Sequence, residues 1–141
     1  MIAILFVGIR RIRCFAIMKA LSIVAPGGSR IASGEKTLEV RRWAPNLDKD
    51  EDLLIVENDI FLRNDGEEDH EGRVVAIVRI GVVRPFVPAD IRAACASSFE
   101  EGWRAWELEH VRPLQASSKV IASRGIYELN MPNDASFRKG T

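Results

Sequence analysis

Residues 34–41 read Gly34-Glu35-Lys36-Thr37-Leu38-Glu39-Val40-Arg41, and the fold turns on this octet. A glycine just past a short helical turn is a normal helix stop. The residues after it alternate as a strand does, with Leu38, Val40 and Arg42 on one face and Thr37, Glu39, Arg41 and Trp43 on the other. Glu39 and Arg41 therefore share a side. Lys36 stands at the strand's mouth, where its flexible stem can swing to that side. Three charges of mixed sign would be costly if buried unpaired. Either they form surface ion pairs worth about 0–1 kcal/mol each, or they pair with one another and line a wet cleft. In a cleft the ammonium is a point charge, the guanidinium a planar fork and the carboxylate an acceptor for amino or hydroxyl hydrogens, a set suited to a polar ligand.

Working outward, residues 19–24 (KALSIV) read as a strand that Pro26-Gly27-Gly28 breaks, and Ser29 opens a helical turn through Ser33. Pro45 closes the motif strand. Residues 53–56 (LLIV) form a short buried strand, and residues 63–71 (RNDGEEDHE) a turn without core potential. Residues 73–83 (RVVAIVRIGVV) make the strongest strand, apolar on both faces in its first half as a central strand is. Residues 89–96 read as helical and 99–102 as a short turn. Strands follow over 105–114 and 125–129, and a loose polar tail after Met131. Five or six irregularly spaced strands with two or three short helices predict a mixed α/β, mainly β fold. A small barrel fits this better than a βαβ sheet, which needs helices between most strands.

The length of 141 residues fits one domain with a real core, and 47% hydrophobic with 28% charged residues argues against disorder and against a multispan membrane protein. The net charge of zero hides an asymmetry. Residues 1–43 carry eight Lys/Arg and two Glu, residues 44–71 eleven acids and two bases, and residues 72–141 ten bases and seven acids. A basic face would attract phosphates, whereas solvated loops of opposite sign would not. The acidic belt, with Glu67, Glu68 and Asp69, could instead meet a protein partner. Cys14 and Cys95 have no CxxC spacing, and His70 and His110 lie far apart. The expectation is no metal, no cofactor, no disulfide framework and a reduced, cytoplasmic setting.

Residues 1–17 are apolar runs interrupted by Arg10, Arg11 and Arg13. The positive charge follows the apolar run, unlike a signal peptide, and no 18-residue apolar stretch supports a membrane span. An extra packed element, a surface-binding segment or a start-site artefact with Met18 as initiator all fit, and the last is preferred. The expected organisation is an extension over 1–17, a domain over 18–130 and a tail over 131–141.

Residues 20–23, then 31–43 with every fixed position of Gly-x-Lys-x-x-Glu-x-Arg filled, resemble the ASCH domain, named for homology to an activating signal cointegrator. Residues 54–56, 72–76, 106–114 and 124–129 are similar to later strands of that family. The resemblance implies a PUA-like pseudo-barrel that binds RNA or a modified nucleoside in a cleft lined by Lys36, Glu39 and Arg41, with residues 29–33, Ser29 among them, at the rim. It also implies a second possibility, a metal-independent hydrolase. One branch cleaves the amide of N4-acetylcytidine with a Lys, a Thr and a Glu. Lys36 fits that Lys, whereas Glu39 stands where the Thr belongs. A ribonuclease relative relies on a Lys with hydroxyl-bearing residues, for which Ser123 or Tyr127 would serve.

A metal-free amide hydrolase needs a base or activated water and an oxyanion stabiliser. Lys36 fits either role, Glu39 would orient water, and Glu107 or Glu109 would be the second carboxylate. Trp43, on the face of Glu39 and Arg41, is the candidate for base stacking. Trp106, Tyr127 and Phe86 read as core, and His110 as a satisfied barrel residue on the Trp106 face. The leading expectation is a monomeric binding module for RNA or a nucleoside-like ligand, with no membrane partner.

Overall fold

The computed structural model describes residues 15–115 and 118–132. These form β1 (Phe15–Val24), α1 (Gly27–Ser33), β2 (Leu38–Arg41), β3 (Leu53–Asn58), β4 (Glu68–Pro85), a 3-10 turn (Pro88–Asp90), β5 (Arg104–Pro113), β6 (Val120–Ser123) and β7 (Ile126–Pro132). The sheet runs β2-β5-β4-β3-β1-β7, and β6 pairs with β4 outside that row. β1 and β3 run parallel, and the other pairs are antiparallel. The mainly β class expected from the sequence is what forms.

β3 lies between β1 and β4, so both its faces are covered and all six residues are buried. Leu53 and Ile55 point into a cluster with Leu21, Ile23, Ile31 and Trp106. Leu54 and Val56 point the other way, towards Ala20, Val74, Ile77 and Met131. A third cluster of Leu38, Phe86, Ala94 and Ala105 packs under the far end of the sheet. Phe86 and Trp106 are core, as expected, and Trp106 is fully buried.

α1 stops at Gly34, whose φ of 86° is the left-handed cap conformation that glycine adopts without penalty. The helix is tied down by Glu57, a buried carboxylate that accepts from the Ser29 backbone N–H at 2.7 Å and the Ser29 hydroxyl at 2.8 Å. Arg73 neutralises the same carboxylate at 3.2 Å.

Several elements differ from the sequence reading. Among the described residues there are seven strands rather than five or six, because the four-residue β6 is too short to stand out in the sequence. β4 starts at Glu68, inside the stretch read as a turn, since Glu68, Asp69 and Gly72 pair with Ser123, Ala122 and Val120. Residues 89–96 are a 3-10 turn followed by further turns, not a helix. The Asp90 carboxylate there is held by Arg84 at 2.7 Å and by the Val87 N–H at 3.0 Å, and Cys95 takes a φ of 51°. His110 is exposed with a φ of 47°, not a barrel residue, and it sits where the β4–β5 register shifts. The expected boundary at residues 17/18 falls within β1, whose Phe15–Met18 segment pairs with Leu129–Pro132. Residues 1–14, and with them Arg10–Arg13 and the question of the initiator, lie outside the described residues, as do 116–117 and most of the expected tail.

The acidic belt is met by cations from flanking strands. Asp52 accepts from Arg112 and Arg79, Glu51 pairs with Lys19, and Glu71 with Lys119. Burial would raise the Asp52 pKa, but the hydrogen bonds and charges of the two arginines outweigh it and hold the carboxyl below its ordinary range.

Gly72 is where β6 lies closest to β4. A Cβ there would meet the Val120 carbonyl oxygen at 2.6 Å and Val56 at 3.0 Å. Gly72→Ala should therefore destabilise the fold by about 1–3 kcal/mol. Urea unfolding will read this as a lower midpoint, and hydrogen exchange as faster exchange at Ala122. An unchanged midpoint would mean that β6 yields freely.

Candidate functional site

The side chains of β2 divide as the alternation dictates. Leu38 and Val40 pack towards Phe86 and Ala105, while Glu39 and Arg41 face the opposite side. Glu39 is only 5% exposed. Its Oε1 lies 3.2 Å from Lys36 Nζ and its Oε2 2.8 Å from an Arg41 terminal nitrogen, and Arg41 Nε also donates to Oε2 at 2.9 Å. Arg41 then donates to the Ser22 carbonyl of β1 at 3.1 Å. Lys36 Nζ, buried as well, donates to the Ala94 carbonyl at 2.6 Å. The three charged tips predicted to converge do so.

Burial pushes the Glu39 pKa up, but the charges and hydrogen bonds of Arg41 and Lys36 outweigh it, and the carboxyl ends below its usual value. Glu39 is therefore ionised at neutral pH.

A hollow of about 420 Å³ opens beside this cluster. Its wall includes Glu39 and Arg41, Ser22 of β1, Phe61 of the β3–β4 loop, and Ser123 and Arg124 at the β6–β7 turn. The Ser22 and Tyr127 hydroxyls lie 2.7 Å apart, with either able to donate. Burial pushes the Tyr127 phenol up, against hydrogen bonds from Ser22 and the Ser123 backbone.

The other candidates lie elsewhere. Lys36 sits behind Glu39 and is not part of the hollow's wall. Ser29 is held by Glu57. Glu107 faces Arg84 at 3.2 Å, on a guanidinium that also forks onto Asp90, and Glu109 is exposed on β5. Trp43 falls past the end of β2. Its ring meets Trp106 edge-on at 5.0 Å, its carbonyl accepts from the Trp106 indole at 3.1 Å, and it stays outside the hollow. Among the described residues no three His, Cys, Asp or Glu side chains gather as a metal site, and no helix is long and apolar enough to cross a membrane.

Three contributors escaped the sequence reading. Ser22 had a signal, as a lone hydroxyl in an apolar strand. Phe61 and Arg124 had only their position in polar loops. Asp69, assigned to the acidic belt, is buried.

Residues 21–118 match the ASCH domain. The chain is similar in structure to an ASCH protein from Zymomonas mobilis, with 17% identity and a TM-score of 0.53 over 72% of this chain and 73% of that one. Two single-substitution variants of the Zymomonas protein align at 16% identity with a TM-score of 0.49, over 72% of this chain and 75% and 73% of theirs. No curated protein matches the chain in sequence. At such identity the likeness concerns the fold, and the fold is the PUA-like one expected.

Glu39→Gln removes the anion shared by the buried Lys36 ammonium and the partly exposed Arg41 guanidinium, so it should cost about 3 kcal/mol, the low end for breaking a buried pair. The wild-type pKa of Glu39 is lowered, so the unfolded chain takes up a proton first on acidification. The stabilisation from Glu39 is present above its ordinary value of 4.5 and fades as pH falls through the folded value. Chemical denaturation across pH 3–7 should show a stability difference between wild type and Glu39→Gln that narrows below that point. A constant difference would mean that Glu39 is not the titrating group.

Proposed function

The chain belongs to the ASCH domain family, and on that footing we propose that it binds one nucleoside-like unit, free or within RNA, in the hollow beside Glu39 and Arg41. The observation that carries this reading is the hollow itself. About 420 Å³ lies within the 300–1,000 Å³ range of small-ligand sites and is suited to a single nucleoside unit rather than to a long polymer track. Its wall combines apolar side chains with a fixed carboxylate, two guanidiniums and two hydroxyls, which supply acceptors and donors for base edges and sugar hydroxyls. Electrostatics add to this, since an ionised Glu39 can accept from an exocyclic amine.

The hydrolase alternative gains less from the geometry. Lys36 Nζ is buried, bonded to Ala94 and Glu39, and is not part of the hollow's wall. Its place supports a positioning role, setting the Glu39 carboxylate. The expectation of a phosphate-attracting face finds support only locally, because so many of the arginines are paired with the acidic belt.

Titration calorimetry with the four common nucleosides, their monophosphates and short single-stranded RNAs of increasing length tests the reading. One ligand per chain is expected, with affinity levelling off once the oligonucleotide exceeds the few units that fit. Arg41→Lys keeps the charge but loses the planar fork, and it should weaken binding by about tenfold, equivalent to roughly 1.4 kcal/mol. Affinity that keeps climbing with RNA length and falls steeply with salt would point to an extended polymer surface. No binding of any member of the panel would overturn the reading.

A further inference from the structure

The β3–β4 loop presents Phe61 and Ile60 to solvent, 70% and 51% exposed, and both belong to the hollow's wall. A single exposed apolar residue is ordinary, but this loop is held in place. Asp69 is buried, and its carboxylate accepts from the Asp59 N–H at 2.9 Å, the Asn58 amide at 3.2 Å and the Ile60 N–H at 3.3 Å. It also accepts from the Glu71 N–H at 2.9 Å. Those backbone hydrogen bonds hold its pKa below the ordinary carboxylate range. Asn58 closes the turn further by donating to the Ile60 carbonyl at 2.6 Å. The backbone leading into Phe61 is thus tethered at Asp59 and Ile60, and its ring stands in the open at the edge of a ligand-sized hollow.

Arg124 is the second observation. It lines the same hollow and is half exposed. Its partner is Asp65 at 3.3 Å, a carboxylate 99% exposed, and a pair of this kind holds a guanidinium only weakly. Arg41, the other arginine of the wall, is already committed to Glu39 and Ser22. Arg124 is therefore the cation that can be given to an incoming anion.

Resting on the reading of the hollow as a nucleoside site, we infer that Phe61 and Arg124 form its outer half, an aromatic lip and a phosphate contact, so that the preferred ligand is a nucleotide rather than an uncharged nucleoside. The base lies against the Phe61 ring, and the phosphate displaces Asp65 from the guanidinium. Stacking accepts any base, so the lip sets affinity, while the Glu39 side of the hollow discriminates among bases.

Calorimetry on the intact chain compares each nucleoside with its 5′- and 3′-monophosphate for wild type, Phe61→Leu, Phe61→Tyr and Arg124→Gln. A wild-type preference for one monophosphate of about tenfold is expected, the scale of one charge-assisted contact. Arg124→Gln should abolish that preference, bringing nucleotide affinity down to that of the nucleoside. Phe61→Leu should weaken nucleoside and nucleotide alike by about tenfold, and Phe61→Tyr should restore it. Both positions are exposed, so thermal unfolding should stay at the wild-type midpoint. If Phe61→Leu and Arg124→Gln bind as wild type does while Arg41→Lys weakens binding, the lip is refuted and the nucleoside site stands. If wild type binds neither nucleosides nor nucleotides, both readings fall together.

Discussion

A buried carboxylate shared by two cations organises this molecule. Each oxygen of Glu39 serves a different partner, Oε1 the Lys36 ammonium and Oε2 the Arg41 guanidinium. Removing the Glu39 carboxylate and the Lys36 ammonium from water is expensive, and their attraction to each other and to the partly exposed Arg41 offsets that cost only when the geometry is good and the remaining donors are filled. They are filled here by main-chain carbonyls, Ala94 for Lys36 and Ser22 for Arg41. Ser22 belongs to β1, which does not pair with β2. The ionic cluster therefore reinforces the backbone hydrogen bonds that Thr37 and Leu38 donate to the Ala93 carbonyl, and it fastens the edge strand to β1, with which β2 does not pair. The same arrangement sets one polar wall of the hollow.

How much of this was legible in the sequence follows from the range of each interaction. The period-two alternation of residues 37–43 put Leu38 and Val40 on one face and Glu39 and Arg41 on the other, and it holds because alternation is a local property of extended backbone. Residues 53–56 and the first half of 73–83 were legible for a related reason, since a continuous apolar run needs cover on both faces. Residues 89–96 failed because tertiary contacts overrode a local preference: Asp90 caps only a 3-10 turn at Val87 while Arg84 forks onto it, and Cys95 turns the chain left-handed. β6 failed because four residues carry too little pattern, and they become a strand only by pairing with β4.

The candidate site divides the same way. Lys36, Glu39 and Arg41 were found together because they lie within one short stretch. Glu107 and Trp43 were placed near them by face and sequence distance alone, but Glu107 is claimed by Arg84, and the chain bends after Arg41 and carries Trp43 onto Trp106. The acidic belt teaches the complement. Read as a block it looked like a surface, yet Glu57 and Asp69 are buried acceptors that hold α1 and the β3–β4 loop. Net charge along a sequence cannot separate a solvated carboxylate from one that replaces missing backbone partners.

The pairing of β1 with β7 sets Phe15 opposite Pro132, so the first and last described strands are neighbours. β1 has its other edge on β3 in parallel, a contact that closes only after the intervening loop has formed. During synthesis the growing chain therefore carries an open β1 edge until the ribosome has released residue 132. In that interval the uncovered strand is open to chaperones or to wrong partners.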